Sequence, residues 1–233
     1  MLGPQPTAAG RGMEPGTHRD GDSRISSGRT AGACRLRCLH AHLRPAAAAS
    51  AAAASAAESE PSAEYLATLL LYYEEEIEGE AYFHDYATKL ADPEQRRKMH
   101  LMGDVERHAA DSVAPLLRKH SLTPRSDAEL QAHATAEWSD EDVADWTPTL
   151  RRWLKRFPGY IDDFEGLEAL APEGDLPALV FLTEHEHAAI RFLDMEVGPS
   201  ASSASRSASG AELEEYLGST PEMLALQQRS ASQ

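Results

Sequence analysis

The sequence predicts an all-α protein whose folded part, residues 61–198, is an antiparallel four-helix bundle with a long crossover between helices 2 and 3. Three observations predict it. Apolar residues recur at helical spacing from residue 62 onward, with no strand-like alternation. Two breakers, Asp92-Pro93 and the segment holding Pro172, Gly174 and Pro177, cut that pattern into hairpins. Between the hairpins lies a polar stretch, residues 121–146, longer than an ordinary helix–helix connection.

The first helix starts at Ser62, a good N-cap after Pro61, with Glu64 in its first turn, and runs to Leu90. At about 29 residues it spans roughly 43 Å. Its seam reads as two heptad lines, Leu66, Tyr73, Glu80, Ala87 and Leu69, Glu76, Phe83, Leu90, so two glutamates fall among core positions. The second helix opens with Asp92 as cap and Pro93 at its first position, on the seam Met99, Met102, Glu106, Ala109, Val113, Leu116. The short turn makes these two helices an antiparallel hairpin.

The crossover, with Pro124 and the acidic run 139–145, has room for at most one short helix. The third helix covers residues 147–170 with a kink at Pro158-Gly159 and the seam Leu150, Trp153, Phe157, Tyr160, Phe164, Leu167. The fourth ends at Val197, before Gly198-Pro199. Residues 199–233 read as a flexible Ser/Ala linker and a weakly ordered tail.

Residues 1–60 read as a leader without a core. The stretch 1–57 is rich in Ser and Ala and holds seven arginines, no lysine and three acids, which matches a mitochondrial or plastid transit peptide. The alternative is a disordered head on a cytoplasmic protein. Its Cys34 and Cys38 are the only cysteines, so the remainder has no thiolate ligand. That remainder carries 15 basic and 35 acidic residues, a formal charge of -20. Such a surface repels phosphate backbones and favours cations, which argues against a nucleic-acid partner. No stretch approaches the ~20 apolar residues of a membrane span.

Inward carboxylates need a partner, whether metal, hydrogen bond or counter-ion. Glu184-x-x-His187 has the spacing of carboxylate-bridged metal bundles, but a helical wheel puts it with Arg191 and Asp194 on the solvent side. The inward pair is His185 and Glu186. Folding the first hairpin brings Glu80 within about 4 Å of rise of Glu106, close enough to share an ion. His84 and His100 read as hydrogen-bonded fillers, and His108 as a surface residue. Helix 3 offers Tyr160 and an off-axis Asp163 rather than an obvious glutamate, so the fourth carboxylate stays open.

The stretches GEAYF around Glu80, MGDVERHA around Glu106 and EHEHAAIRFLDMEVG around Glu186 resemble the ferritin-like superfamily. The resemblance spans residues 62–197 and rests on architecture and ligand placement. It implies iron or manganese, two ions in the full family pattern, held by Glu80, Glu106, His185 and Glu186. It also implies an oxidoreductase acting on oxygen, peroxide or a small molecule, with Tyr73 and Tyr160 near the metal. The family's second-helix histidine and third-helix glutamate are missing, which disfavours a storage ferritin. The alternatives are a metal-free helical binding or scaffold protein with a glutamate-lined pocket and, more weakly, a hemerythrin-like bundle. A homodimer is compatible with either main reading.

Overall fold

The computed structural model describes residues 60–138 and 145–231, and all its regular structure there is helical. The leader, its cysteines and most of the acidic run lie outside the described residues. In chain order come α1 (Ala63–Lys89), α2 (Pro93–Lys119), α3 (Asp127–Trp138), α4 (Trp146–Arg156), α5 (Pro158–Leu170), α6 (Leu176–Val197), α7 (Ser203–Ala208), α8 (Gly210–Leu217) and α9 (Pro221–Ala231).

Local chemistry sets the boundaries. The Ser62 hydroxyl accepts the Tyr65 amide at 3.0 Å and opens α1; the Asp92 carboxylate accepts the amides of Glu94 and Gln95 at 2.9 Å and opens α2 behind Pro93. At the end of α2, Ser121 takes a left-handed φ of 56°. There the Leu122 amide reaches back to the Leu117 carbonyl at 2.9 Å and the Ser121 amide to Arg118 at 3.2 Å, a Schellman closure with serine where glycine is usual. The closure leaves His120 facing Asp175 just before α6. The third predicted helix breaks into α4 and α5 at Pro158, whose ring has no amide hydrogen to continue the ladder.

Helix α1 packs on α2, α3 and α5, and α6 packs on α2, α4 and α5. Side-chain partners show the direction: Glu80 meets Arg107 and His84 meets Asp104 across α1 and α2, while Phe164 meets His185 and Glu168 meets Thr183 across α5 and α6, so both pairs run antiparallel. The core between them holds Leu69, Phe83, Met99, Met102, Phe164, Phe181, Leu182 and Phe192. Helix α3 adds a small satellite in which Leu130 packs on Ile77 and Ala110, with Tyr73 at its edge.

The C-terminal segment differs from the flexible tail expected for 199–233. Helix α7 starts with a reciprocal Ser202–Ser205 capping box, and α8 packs on both α2 and α6. Leu213 and Tyr216 are buried in the main core, and the Tyr216 hydroxyl donates to the Phe181 carbonyl at 3.2 Å. Sparse anchors explain why this was not visible in the composition: two apolar side chains and one buried serine, Ser209, fix a stretch that is otherwise small and polar. No helix among the described residues is long and apolar enough to cross a membrane.

Candidate metal centre

Helices α1, α2 and α6 each turn a charged side chain into the core at one level. Glu76, Glu106 and His185 are all buried, with ligand-type atoms within 4.8 Å of one another. His185 Nε2 lies 3.3 Å from Glu76 Oε2, 3.7 Å from Glu106 Oε2 and 3.7 Å from Glu186 Oε1. Its Nδ1 bonds the Leu182 carbonyl of its own helix. A carbonyl oxygen only accepts, so Nδ1 carries hydrogen, and in the neutral ring the Nε2 lone pair is aimed at the carboxylates. The Phe164 ring stands edge-on to the imidazole at 5.2 Å and completes its orientation.

Beside this group is a cavity of about 30 Å³, lined by Glu75, Glu76, Glu106 and Glu186 together with Phe83, Phe157, Tyr160 and Phe164. It is large enough for one or two water-sized occupants. Burial holds the Glu76 carboxyl well above the usual range, reinforced by the charge of Glu106, a hydrogen bond with it, and the charges of Glu186 and Glu75. Neither lysine nor arginine is among the lining residues.

Gly79 makes room for the arrangement. A Cβ there would sit 3.1 Å from Glu106 Oε2 and 3.2 Å from its Cγ and Cδ, so the second-helix carboxylate occupies space that a side chain on α1 would crowd. This is the glycine of the GEAYF stretch.

Of the four residues named from the sequence, Glu106, His185 and Glu186 come together here and Glu80 does not. The level estimated for Glu80 holds, since its carbonyl lies against Gly103. Its side chain, however, leaves along the flank of α1, where Arg107 clamps it through Nε at 2.8 Å while also holding Asp127 of α3 at 3.0 Å. Glu76 takes the inward place because the core stripe of α1 follows Leu69, Glu76, Phe83 and Leu90. The sequence gives no signal for this choice, since buried Tyr82 and Phe83 follow Glu80 just as buried Ile77 follows Glu76. Glu75 was also missed.

The remaining candidates resolve as follows. Glu184 pairs with Arg191 at 2.9 Å on the outer face, and His187 is half-buried beside it in sequence. His84 bonds Asp104 at 3.1 Å at the α1–α2 surface, its ring 5.3 Å from that of His100. His108 is no simple surface residue; it bonds the Ser219 carbonyl at 3.0 Å and packs edge-on to Phe181 and Tyr216. Asp163 is exposed, and Tyr73 lies with the satellite under α3. Comparison with protein-family models, with curated proteins and with solved structures returns no match for this chain.

Proposed function

We propose that this chain is a ferritin-like four-helix-bundle metalloprotein in which Glu76, Glu106 and His185, with Glu186 on the same cavity, hold an iron or manganese ion, and that it is an oxidoreductase acting on oxygen or peroxide. One observation carries the reading: four carboxylates line a small cavity with no lysine or arginine among the lining residues. Carboxylates this close cannot all ionise without a proton or a cation between them. The raised Glu76 carboxyl is the protonated alternative, and a divalent ion would displace that proton.

The donor set of carboxylate oxygens and one imidazole suits iron or manganese. Three or four protein ligands suffice for one ion and leave coordination positions open, which argues for a mononuclear centre over a storage site. The ring of packing contacts α1–α2–α6–α5 supports the bundle reading, with α3 lying in the proposed crossover.

A bound iron or manganese ion supplies Lewis acidity and one-electron redox chemistry. The residues of the chain do the rest. The Leu182 carbonyl fixes the His185 ring, Glu76 holds or releases a proton at its carboxyl, and Phe83, Phe157 and Phe164 give the cavity its apolar lining. The cavity admits a molecule the size of oxygen or peroxide and is too small for an organic cation, which weighs against the metal-free pocket.

Metal analysis after anaerobic reconstitution tests the reading: roughly one equivalent of iron or manganese is expected, and under about a tenth would overturn it. Glu106→Ala is expected to abolish that binding. A loaded protein that consumes no peroxide in the presence of a reductant would overturn the activity while leaving the metal site.

A further inference from the structure

Four arginines of this chain are each tied to two carboxylates. Arg97 holds Glu94 and Glu214, Arg107 holds Glu80 and Asp127, Arg125 holds Glu74 and Glu78, and Arg191 holds Glu184 and Glu212. Arg151, Lys155 and Arg206 make no such pair with a described carboxylate, as Arg96, Arg118, Arg152 and Arg229 make none; the first three are set apart by sharing one cleft.

The cleft has a volume of about 600 Å³ and lies between α4, the end of α6 and α7. That volume falls within the range of small-molecule sites. Arg151 and Lys155 stand one turn apart on α4, and Arg206 faces them from α7. Beneath them Trp146, Leu154 and Val197 supply half-buried apolar surface.

Glu196 is the one acid among the lining residues, and its carboxylate is already engaged. Oε1 accepts the Lys98 ammonium at 2.5 Å and the Ser209 hydroxyl at 2.6 Å; Oε2 accepts the Trp146 indole N–H at 3.1 Å. Lys98 also donates to the Arg206 carbonyl at 2.6 Å. The buried pair therefore fixes both the indole and the backbone that carries Arg206 before any ligand arrives.

We propose that this cleft binds a small organic anion, an anionic group on an apolar body, at a site separate from the carboxylate cavity. The three cations would meet the charge, and the indole, Leu154 and Val197 would cover the body. An inorganic anion leaves that apolar floor uncovered, and a polyanion as large as a nucleic acid meets the acidic surface beyond the cleft.

The test is a calorimetric titration of the full chain with 2-naphthyl phosphate and 2-naphthoate, against 2-naphthol and inorganic phosphate. At least one of the two naphthyl anions is expected to bind at one site more tightly than 2-naphthol and inorganic phosphate. Which naphthyl anion is tighter assigns the phosphate or the carboxylate class. Its affinity is expected to fall with added salt and to drop about tenfold in the Arg151→Ser/Lys155→Ser variant. Both side chains are exposed, so circular dichroism should be unchanged, and Lys155→Arg should keep binding. Equal binding of 2-naphthol, equal binding of inorganic phosphate, or an unaltered affinity in the double variant would each overturn the proposal.

Discussion

Replacing Glu76 by glutamine separates a metal site from a polar core layer, because the two assign opposite signs to the change. Glutamine keeps the shape of the side chain and a hydrogen-bonding donor while removing a charge that sits within 4.8 Å of its neighbours' ligand atoms. At an effective dielectric of about 20, two unit charges at that separation repel by about 3.5 kcal/mol. A shared proton already relieves part of this, so the metal-free variant is expected to exceed the parent by about 1–3 kcal/mol near pH 8. With manganese at about a hundred times its dissociation constant, the parent gains about 2.7 kcal/mol, and the variant, short of one ligand, gains little. Urea unfolding with chelator and with manganese reads both quantities. A variant less stable than the parent in chelator, together with a parent indifferent to manganese, would refute the reasoning: Glu76 would then be a satisfied core residue.

Gly79→Ala tests the space left for Glu106. Alanine gains about 1 kcal/mol of helix propensity, yet its Cβ at 3.1–3.2 Å displaces the carboxylate, so the urea midpoint should hold or rise while metal affinity falls about 10–100-fold; unchanged affinity by competitive chelator titration would contradict the placement of Glu106. Asp175 gives a pH prediction. Burial pushes its carboxyl up, but hydrogen bonds from Lys119, His120 and Tyr65, at 2.7, 2.6 and 2.7 Å, outweigh that and hold it below its ordinary value. Its contribution is therefore complete above the unfolded pKa of about 3.9 and is lost as pH falls through the lower folded value. Asp175→Asn should cost about 1–3 kcal/mol at pH 7, with the half-exposed Lys119 adding little. The deficit should shrink below pH 4 in urea titrations; a deficit independent of pH would remove the charge from the explanation.

The helix boundaries were legible because they are written in local chemistry: a serine cap, an aspartate cap followed by proline, and breakers at Pro158 and Gly198. The phase of α6 was legible for the same reason, since Leu179, Leu182, Ala189 and Leu193 mark one face and Glu184 falls off it. Helix α1 was harder. It is buried on a broad face by α2, α3 and α5 together, so both heptad lines looked apolar, and only packing distinguishes Glu76, at the centre, from Glu80, on the flank under Arg107. The docking of α8 was not legible either. It depends on Leu213 and Tyr216 filling a surface of α2 and α6 that the sequence of α8 alone does not reveal.

How this chain treats its other buried acids bears on what the central group requires. Glu196 is matched by Lys98, Asp175 by Lys119 and His120, and Glu78 by Arg125 and His133, at distances between 2.5 and 3.0 Å. Each is the outcome that desolvation demands, a buried carboxylate with a base in contact. Glu76, Glu106 and Glu186 share one imidazole, that of His185, with one ring nitrogen already committed to Leu182. With Glu76 protonated and the imidazole neutral, the carboxylates of Glu106 and Glu186 would leave two negative charges beside a cavity of about 30 Å³, the charge that one divalent cation would balance. A chain that seats a cationic side chain on each of its other deep carboxylates, and spares a glycine to make room for this one, has the composition of a site whose counter-ion comes from solution.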